Sequence, residues 1–277
     1  MNAFQELLEL DADAKSARGL EFTPSEIAQQ PSVWAKTAAL LTTRRQEVLA
    51  FLRSAGLAGD GPESVLVTTG AGSSEFVGNA IENPLRRLLG REVVSVPTTH
   101  LVTHAARTLV PAHAYTLLSF ARSGNSPESL AACDRARRAA PSLREIVVTC
   151  SAEGALGQAA LERDDTLCLV LPAETNDRGL AMTSSYSSMA LAGLGLGLAD
   201  EPEALTDLAE RAGAAALRVL DDYGDLLHDF AALAFDRACF LGSNALYGTM
   251  QECHLKMQEM TEGRVACRFD SFLGLRH

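Results

Sequence analysis

Tyr115-Thr116-Leu117-Leu118-Ser119-Phe120-Ala121-Arg122-Ser123-Gly124-Asn125-Ser126-Pro127-Glu128 is the stretch that sets the fold. Its apolar run, Tyr115 to Phe120, reads as a strand, and Pro127 to Ala140 reads as a helix. Between them lies a loop of small hydroxyl residues, one glycine and one cation. At such a junction backbone N–H groups and the positive end of the helix dipole face whatever the loop holds. Ser126 suits an N-cap, with Pro127 at the first helical position. That much is an ordinary capped turn. Arg122, Ser123 and Gly124 exceed what a cap needs, and with Ser126 they suit a dianionic phosphate.

A second junction of this kind, Gly70-Ala71-Gly72-Ser73-Ser74, follows the strand Ser64 to Thr69. Its glycines permit a sharp turn, and Ser73 and Ser74 offer hydroxyls to a ligand, or Ser74 caps the next helix. Two such loops fit a sugar phosphate better than a nucleotide. Outward from them the pattern alternates: helix Glu75 to Leu89, strand Glu92 to Val96, then, past Ala140, strands Glu145 to Cys150 and Thr166 to Leu171. The strands carry Val and Leu on consecutive positions, as in a parallel sheet covered on both faces. The fold expected is α/β, a doubly wound three-layer αβα sandwich with a parallel sheet. Ligands in such sheets sit beyond the carboxyl ends of the strands, where both loops fall.

Residues 1–58 read as a helical N-terminal extension, with Thr23 as N-cap before Pro24 and an acidic first turn at Glu26. Gly56 to Pro62 is a breaker-rich linker. The first domain is expected over 59–224, closed by helices Thr183 to Leu198 and Pro202 to Tyr223. After Gly224 the pattern restarts: strand Arg237 to Leu241, loop Gly242-Ser243-Asn244, helix Ala245 to Thr261, strand Val265 to Phe269. This echoes Ser64 to Val96 and reads as an internal repeat. Residues 225–277 are roughly half the ~100 residues of a compact domain, so they read as the start of a truncated second domain.

The 277 residues carry 24 Lys plus Arg against 35 Asp plus Glu, a formal charge of −11, which argues against a nucleic-acid-wrapping surface. The six cysteines are scattered with no C-x-x-C pair, and read as reduced small hydrophobes. The N-terminus lacks a basic signal-peptide region, and Leu191 to Leu198 is too short to span a bilayer. A soluble cytoplasmic protein is the expectation.

Segment Glu174 to Ser185 crowds charge and hydroxyl at the carboxyl edge of the sheet, with Thr183 placed to cap a helix. Glu252, Lys256 and Glu259 share one helix face; the bland reading is an exposed ion-pair ladder. Met250, Cys253, Met257 and Met260 around them favour a partly enclosed carboxylate, suited to taking a proton beside a carbonyl. His100 and His104 at i,i+4 lack a third ligand and read as helix-surface residues, not a metal pair. Gly193-Leu194-Gly195-Leu196-Gly197 lies inside a helical run and lacks dinucleotide-fingerprint spacing.

These residues together resemble the SIS (sugar isomerase) family, and within it the tagatose-6-phosphate ketose/aldose isomerase group. The resemblance runs from about Leu20 to the last residue. It is carried by Gly-Leu-Glu-Phe-Thr-Pro at 19–24, Thr-Gly-Ala-Gly-Ser-Ser at 69–74, Val-Pro-Thr-Thr at 96–99, the 119–128 loop, 172–185 and the terminal Arg-His. It implies paired SIS domains that bind a sugar phosphate with neither metal nor organic cofactor. By likeness to the isomerase domain of glucosamine-6-phosphate synthase, Ser74, Ser123 and Ser126 match phosphate-binding serines, with Arg122 beside them. Thr183 and Ser184 match the sugar-contacting hydroxyls. Glu259 matches the base that moves the C1/C2 proton, Lys256 stands one turn earlier, and His277 matches a ring-opening histidine donated across a subunit interface. A homodimer or higher homo-oligomer is therefore implied.

The activity so implied is aldose–ketose isomerisation of tagatose 6-phosphate or galactosamine 6-phosphate, the latter with loss of ammonia. A non-catalytic phosphosugar sensor is the rival, and an interaction fragment is a third. Glu259 with Lys256 separates the first from the second, since a sensor has no need of a base.

Overall fold

The computed structural model describes residues 1–276; His277, expected as the ring-opening residue, lies outside them. Five helices precede the first strand: α1 (Ala3–Glu9), α2 (Ala12–Ala17), α3 (Thr23–Ala28), α4 (Gln30–Thr43) and α5 (Arg45–Ser54). The alternating region is β1 (Ser64–Thr69), α6 (Ser73–Leu89), β2 (Val93–Ser95), α7 (Thr98–Thr108), β3 (Ala114–Ala121), α8 (Pro127–Ala139), β4 (Arg144–Thr149), α9 (Ala155–Leu161) and β5 (Thr166–Val170). A 3₁₀ turn (Ala173–Thr175), α10 (Ser184–Gly197), α11 (Pro202–Asp222) and α12 (Gly224–Ala231) follow. Last come β6 (Arg237–Leu241), α13 (Ala245–Met260) and β7 (Ala266–Asp270).

Strands β1 to β5 form one parallel sheet in the order β2-β1-β3-β4-β5. The chain winds from β1 outward to β2, then returns and winds the other way from β3. The crevice at that reversal, between the carboxyl ends of β1 and β3, is where such sheets bind ligands. Both hydroxyl-rich loops emerge there.

Neighbouring strand residues point to opposite faces, so the sheet has two cores. Leu66, Leu118, Phe120, Ile146 and Leu169 pack against helices α4, α5, α6 and α10. Val67, Leu117, Val147 and Cys168 pack against α7, α8 and α9. Fully buried side chains such as Leu118 and Phe120 each contribute about 1.5–3 kcal/mol of transfer free energy. None of the six cysteines is bridged, and burial pushes the thiols of Cys133 and Cys150 up to about 11 and about 12. Among the described residues no helix is long and apolar enough to cross a membrane.

Several local expectations change. Helix α3 starts at Thr23 itself, with Phe22 in the cap position and no side-chain cap bond. Helix α9, only two turns long, is absent from the sequence reading because seven residues give periodicity little to act on. Ser126 does cap α8, its Oγ accepting from the Ser129 N–H. Thr183 holds the cap position of α10, but its side chain makes no cap bond; Asp177 does that work, as described below.

The second sheet pairs β6 with β7 in parallel, as β1 pairs with β2. Helix α13 packs against α6, and Asn79 Nδ2 donates to Gln251 Oε1 at 2.8 Å, across 172 positions. That offset also carries Gly70 onto Gly242 and Gly72 onto Asn244, so equivalent residues of the two copies meet each other. Such self-contact is what an approximate twofold between the units produces.

Candidate active site

The β1 loop turns sharply. A Cβ on Gly70 would collide with the Ser74 carbonyl group, and Gly72 sits at φ +57°. The turn delivers Ser73 and Ser74, both buried, to the first turn of α6. The first-turn N–H groups of a 17-residue helix thus face the crevice. Neither serine caps the helix; the cap position is Gly72.

Ser73 is instead bonded across to α13. Its Oγ donates to Glu252 Oε1 at 2.9 Å and accepts from Lys256 Nζ at 3.0 Å. Lys256 Nζ also lies 3.3 Å from Glu252 Oε1 and 2.5 Å from Glu259 Oε2. The ladder reading is thereby replaced: one ammonium is shared by two carboxylates and a serine. Glu252 is 5% exposed, and its Oε2 has no partner among the described residues. Burial raises its pKa, opposed by Lys256 and by the Ser73 hydrogen bond.

Across the crevice, Ser123 Oγ accepts from the Asn125 N–H at 3.3 Å. Ser126 Oγ accepts from the Ser129 N–H at 3.3 Å and shares a 2.6 Å contact with Ser129 Oγ. Arg122 Nη1 donates to the Gly179 carbonyl at 3.1 Å, which ties this loop to the segment after β5. The other guanidinium N–H groups of Arg122 have no protein partner among the described residues and are donors open to a ligand.

Asp177, 6% exposed, accepts from the N–H groups of Thr183 and Ser185, both at 2.8 Å, and from Ser185 Oγ at 2.6 Å. Thr183 Oγ1 lies 3.3 Å from the same carboxylate. Ser184, expected to touch sugar, is fully buried; its Oγ donates to the Glu26 carbonyl at 2.7 Å and accepts from Gln29 Nε2 at 2.9 Å. Its hydroxyl fastens α10 to α3. A buried side chain so engaged is a packing element, because the helix phase turns it inward.

The structure thus gathers Ser73, Lys256 and Glu259 into one network, with Ser74 adjoining. Ser123, Ser126 and Arg122 form the facing loop, and Thr183, half-buried, is held by Asp177. Asp177 and Glu26 are missed by sequence reasoning, and Glu252 appears there without a role. Asp177 acts from six residues before the cap position Thr183, outside the usual capping spacing.

A parallel α/β sheet whose switch point is lined by two helix N-termini and a lysine–carboxylate row defines a doubly wound α/β protein with a ligand crevice at that point. No protein-family model matches the chain. The D-galactosamine-6-phosphate deaminase AgaS of Escherichia coli is 38% identical over 262 residues, 92% of this chain and 66% of that protein. A candidate tagatose-6-phosphate ketose/aldose isomerase from Clostridium novyi NT superposes with a TM-score of 0.91 at 32% identity, covering 98% of this chain and 68% of that one. The tagatose-6-phosphate ketose/aldose isomerase of Escherichia coli gives 0.83 at 37%, covering 92% and 68%. The chain belongs to the SIS (sugar isomerase) family, in the group of these deaminases and ketose/aldose isomerases. It spans about two thirds of the length of the curated relatives it matches.

Proposed function

We propose that the protein moves a proton between C1 and C2 of a 6-phosphorylated hexose of the galactose series, as a cytoplasmic homo-oligomer. The N-termini of α6 and α8, with Ser74, Ser123, Ser126 and Arg122, hold the phosphate. Anchoring that end fixes C1 and C2 near the carboxylate of Glu259. Residues 225 onward act as the start of a second SIS unit that supplies this carboxylate. Thr183 contacts the sugar, and His277 of a neighbouring subunit opens the ring.

For a 2-amino sugar, Glu259 takes the C2 proton of the open-chain aldehyde while Lys256 gives a proton to O1. The C1=C2 double bond that forms is an enolamine. Glu259 returns its proton to C1, nitrogen gives one up to Lys256, and a C2 imine results. Water adds to the imine and ammonia leaves, yielding the 6-phosphoketose. With oxygen at C2 the same shuttle passes through a cis-enediol and is a plain isomerisation. The relatives' names support both outcomes, and deamination is the reading preferred.

The observation that carries this reading is the shared ammonium: Lys256 bridges Ser73 of the first loop and Glu259. A protein that only senses phosphosugar has no use for such a row. Glu259→Gln is expected to lower solvent-deuterium exchange at C1/C2 by about 10²–10⁴-fold, leaving calorimetric binding of inorganic phosphate unchanged. Undiminished exchange would remove the base assignment.

A further inference from the structure

Beyond Glu259 lies a cavity of about 400 Å³. One wall is the N-terminal segment between α2 and α3, with Arg18, Glu21 and Phe22; another is Arg178 to Leu180; the third is Glu259 to Glu262 at the end of α13. The Arg178 segment is held from three sides. The buried carboxylate of Glu26 accepts from the Arg178 N–H at 2.6 Å and the Gly179 N–H at 3.1 Å. Arg122 holds the Gly179 carbonyl from the phosphate side. The Arg178 guanidinium lies 4.3 Å above the centre of the Phe22 ring.

The Arg178 guanidinium held over the ring makes no side-chain hydrogen bond among the described residues, so its donors are free. Among the described residues neither Arg178 nor Arg18 is paired with a carboxylate, although Glu21, Glu259 and Glu262 line the same space. Donor forks and carboxylates set apart across a cavity of this size suit neighbouring hydroxyls, which donate to the one and accept from the other.

We propose that this cavity takes the hydroxyl-bearing end of the open-chain phosphosugar, and that Arg178, braced by the N-terminal segment, decides which sugar is accepted. The proposal rests on Glu259 acting at C1 and C2. Phosphate affinity belongs to the two loops, whereas discrimination among sugars belongs to Arg178. Glu26 is a positioning residue that sets the Arg178 backbone.

Calorimetric titration with galactitol 6-phosphate, glucitol 6-phosphate and inorganic phosphate separates these contributions without needing turnover. The wild-type chain should bind one hexitol phosphate more tightly than the other, and both more tightly than phosphate. Arg178→Ala should weaken the hexitol phosphates about tenfold and narrow the gap between them, with phosphate affinity and melting temperature unchanged. Arg178→Lys should not restore the gap, because the fork is lost with the charge kept. An Arg178→Ala chain with undiminished hexitol affinity and preference would overturn the proposal and leave the phosphosugar reading standing. Wild-type binding of hexitol phosphates no tighter than phosphate would remove both.

Discussion

Gly72 and Asn244 occupy the same point on two copies of one supersecondary unit: φ 57° and ψ −127° before α6, φ 57° and ψ −129° before α13. The backbones agree while the side chains beyond them diverge. Where the first copy has Ser73 and Ser74, the second has Ala245 and Leu246; where the second has Glu252 and Lys256, the first has Ala80 and Pro84. One side of the approximate twofold therefore joins the hydroxyl of one copy to the charges of the other. The opposite side joins their apolar counterparts, and Ala80, Pro84, Ala245 and Leu246 line a cleft of about 310 Å³ with Trp34 and Tyr186. The two equivalent helix crossings share a backbone, and only one of them carries charge. A fold can thus carry a charged row at half its symmetric positions without altering the backbone at the other half.

The largest effect should come from breaking the polar side. Lys256→Met leaves the buried carboxylate of Glu252 without its cation, at a cost of about 3–5 kcal/mol in denaturant unfolding at neutral pH. The loss should shrink in acid. Glu252 has its folded pKa raised, so the native state binds the proton more readily and ionisation opposes folding as pH rises through the carboxylate range. With Lys256 gone that penalty grows, and acid relieves it; an equal loss at all pH values would mean Glu252 is not the group left exposed to the change. Next comes the shared turn. Asn244 holds a backbone conformation that favours glycine, so Asn244→Gly should stabilise by about 1 kcal/mol, and Gly72→Asn should cost a similar amount. Opposite signs sharpen the equivalence of the two turns, and equal signs break it. The smallest effect lies on the axis itself: a double-mutant cycle of Asn79→Ala and Gln251→Ala should give a coupling of about 0.5–1 kcal/mol.

The five strands of the main sheet were legible because each is a short apolar run ended by small residues, and a doubly wound order follows from helices between them. The loops after β1 and β3 were legible because Gly and Ser cluster there for reasons of backbone geometry. What stayed hidden depends on contacts between distant segments. Glu26 reaches Arg178 across 152 positions, and nothing local in Thr23-Pro24-Ser25-Glu26 marks its carboxylate as buried. Ser184 and Thr183 look alike in the sequence, yet a single residue of helix phase, about 100°, sends the first inward and leaves the second half-buried. Glu252, Lys256 and Glu259 were visible as a row on one face. Their sharing of a single ammonium, and its link to Ser73, required the packing of α13 on α6.

The cap of α1 has a consequence for synthesis. Asn2 Nδ2 donates to the carbonyls of Leu220 and Asp221, across 218 and 219 positions, and the Ala3 N–H donates to Asp225, across 222. A ribosome adding about 5–20 residues per second needs on the order of ten seconds or more to make those partners. During that interval the first helix can form its own capping box with Gln5 but has nowhere to dock. Docking of α1 at the α11–α12 junction therefore waits until partners 218 to 222 positions downstream have been made.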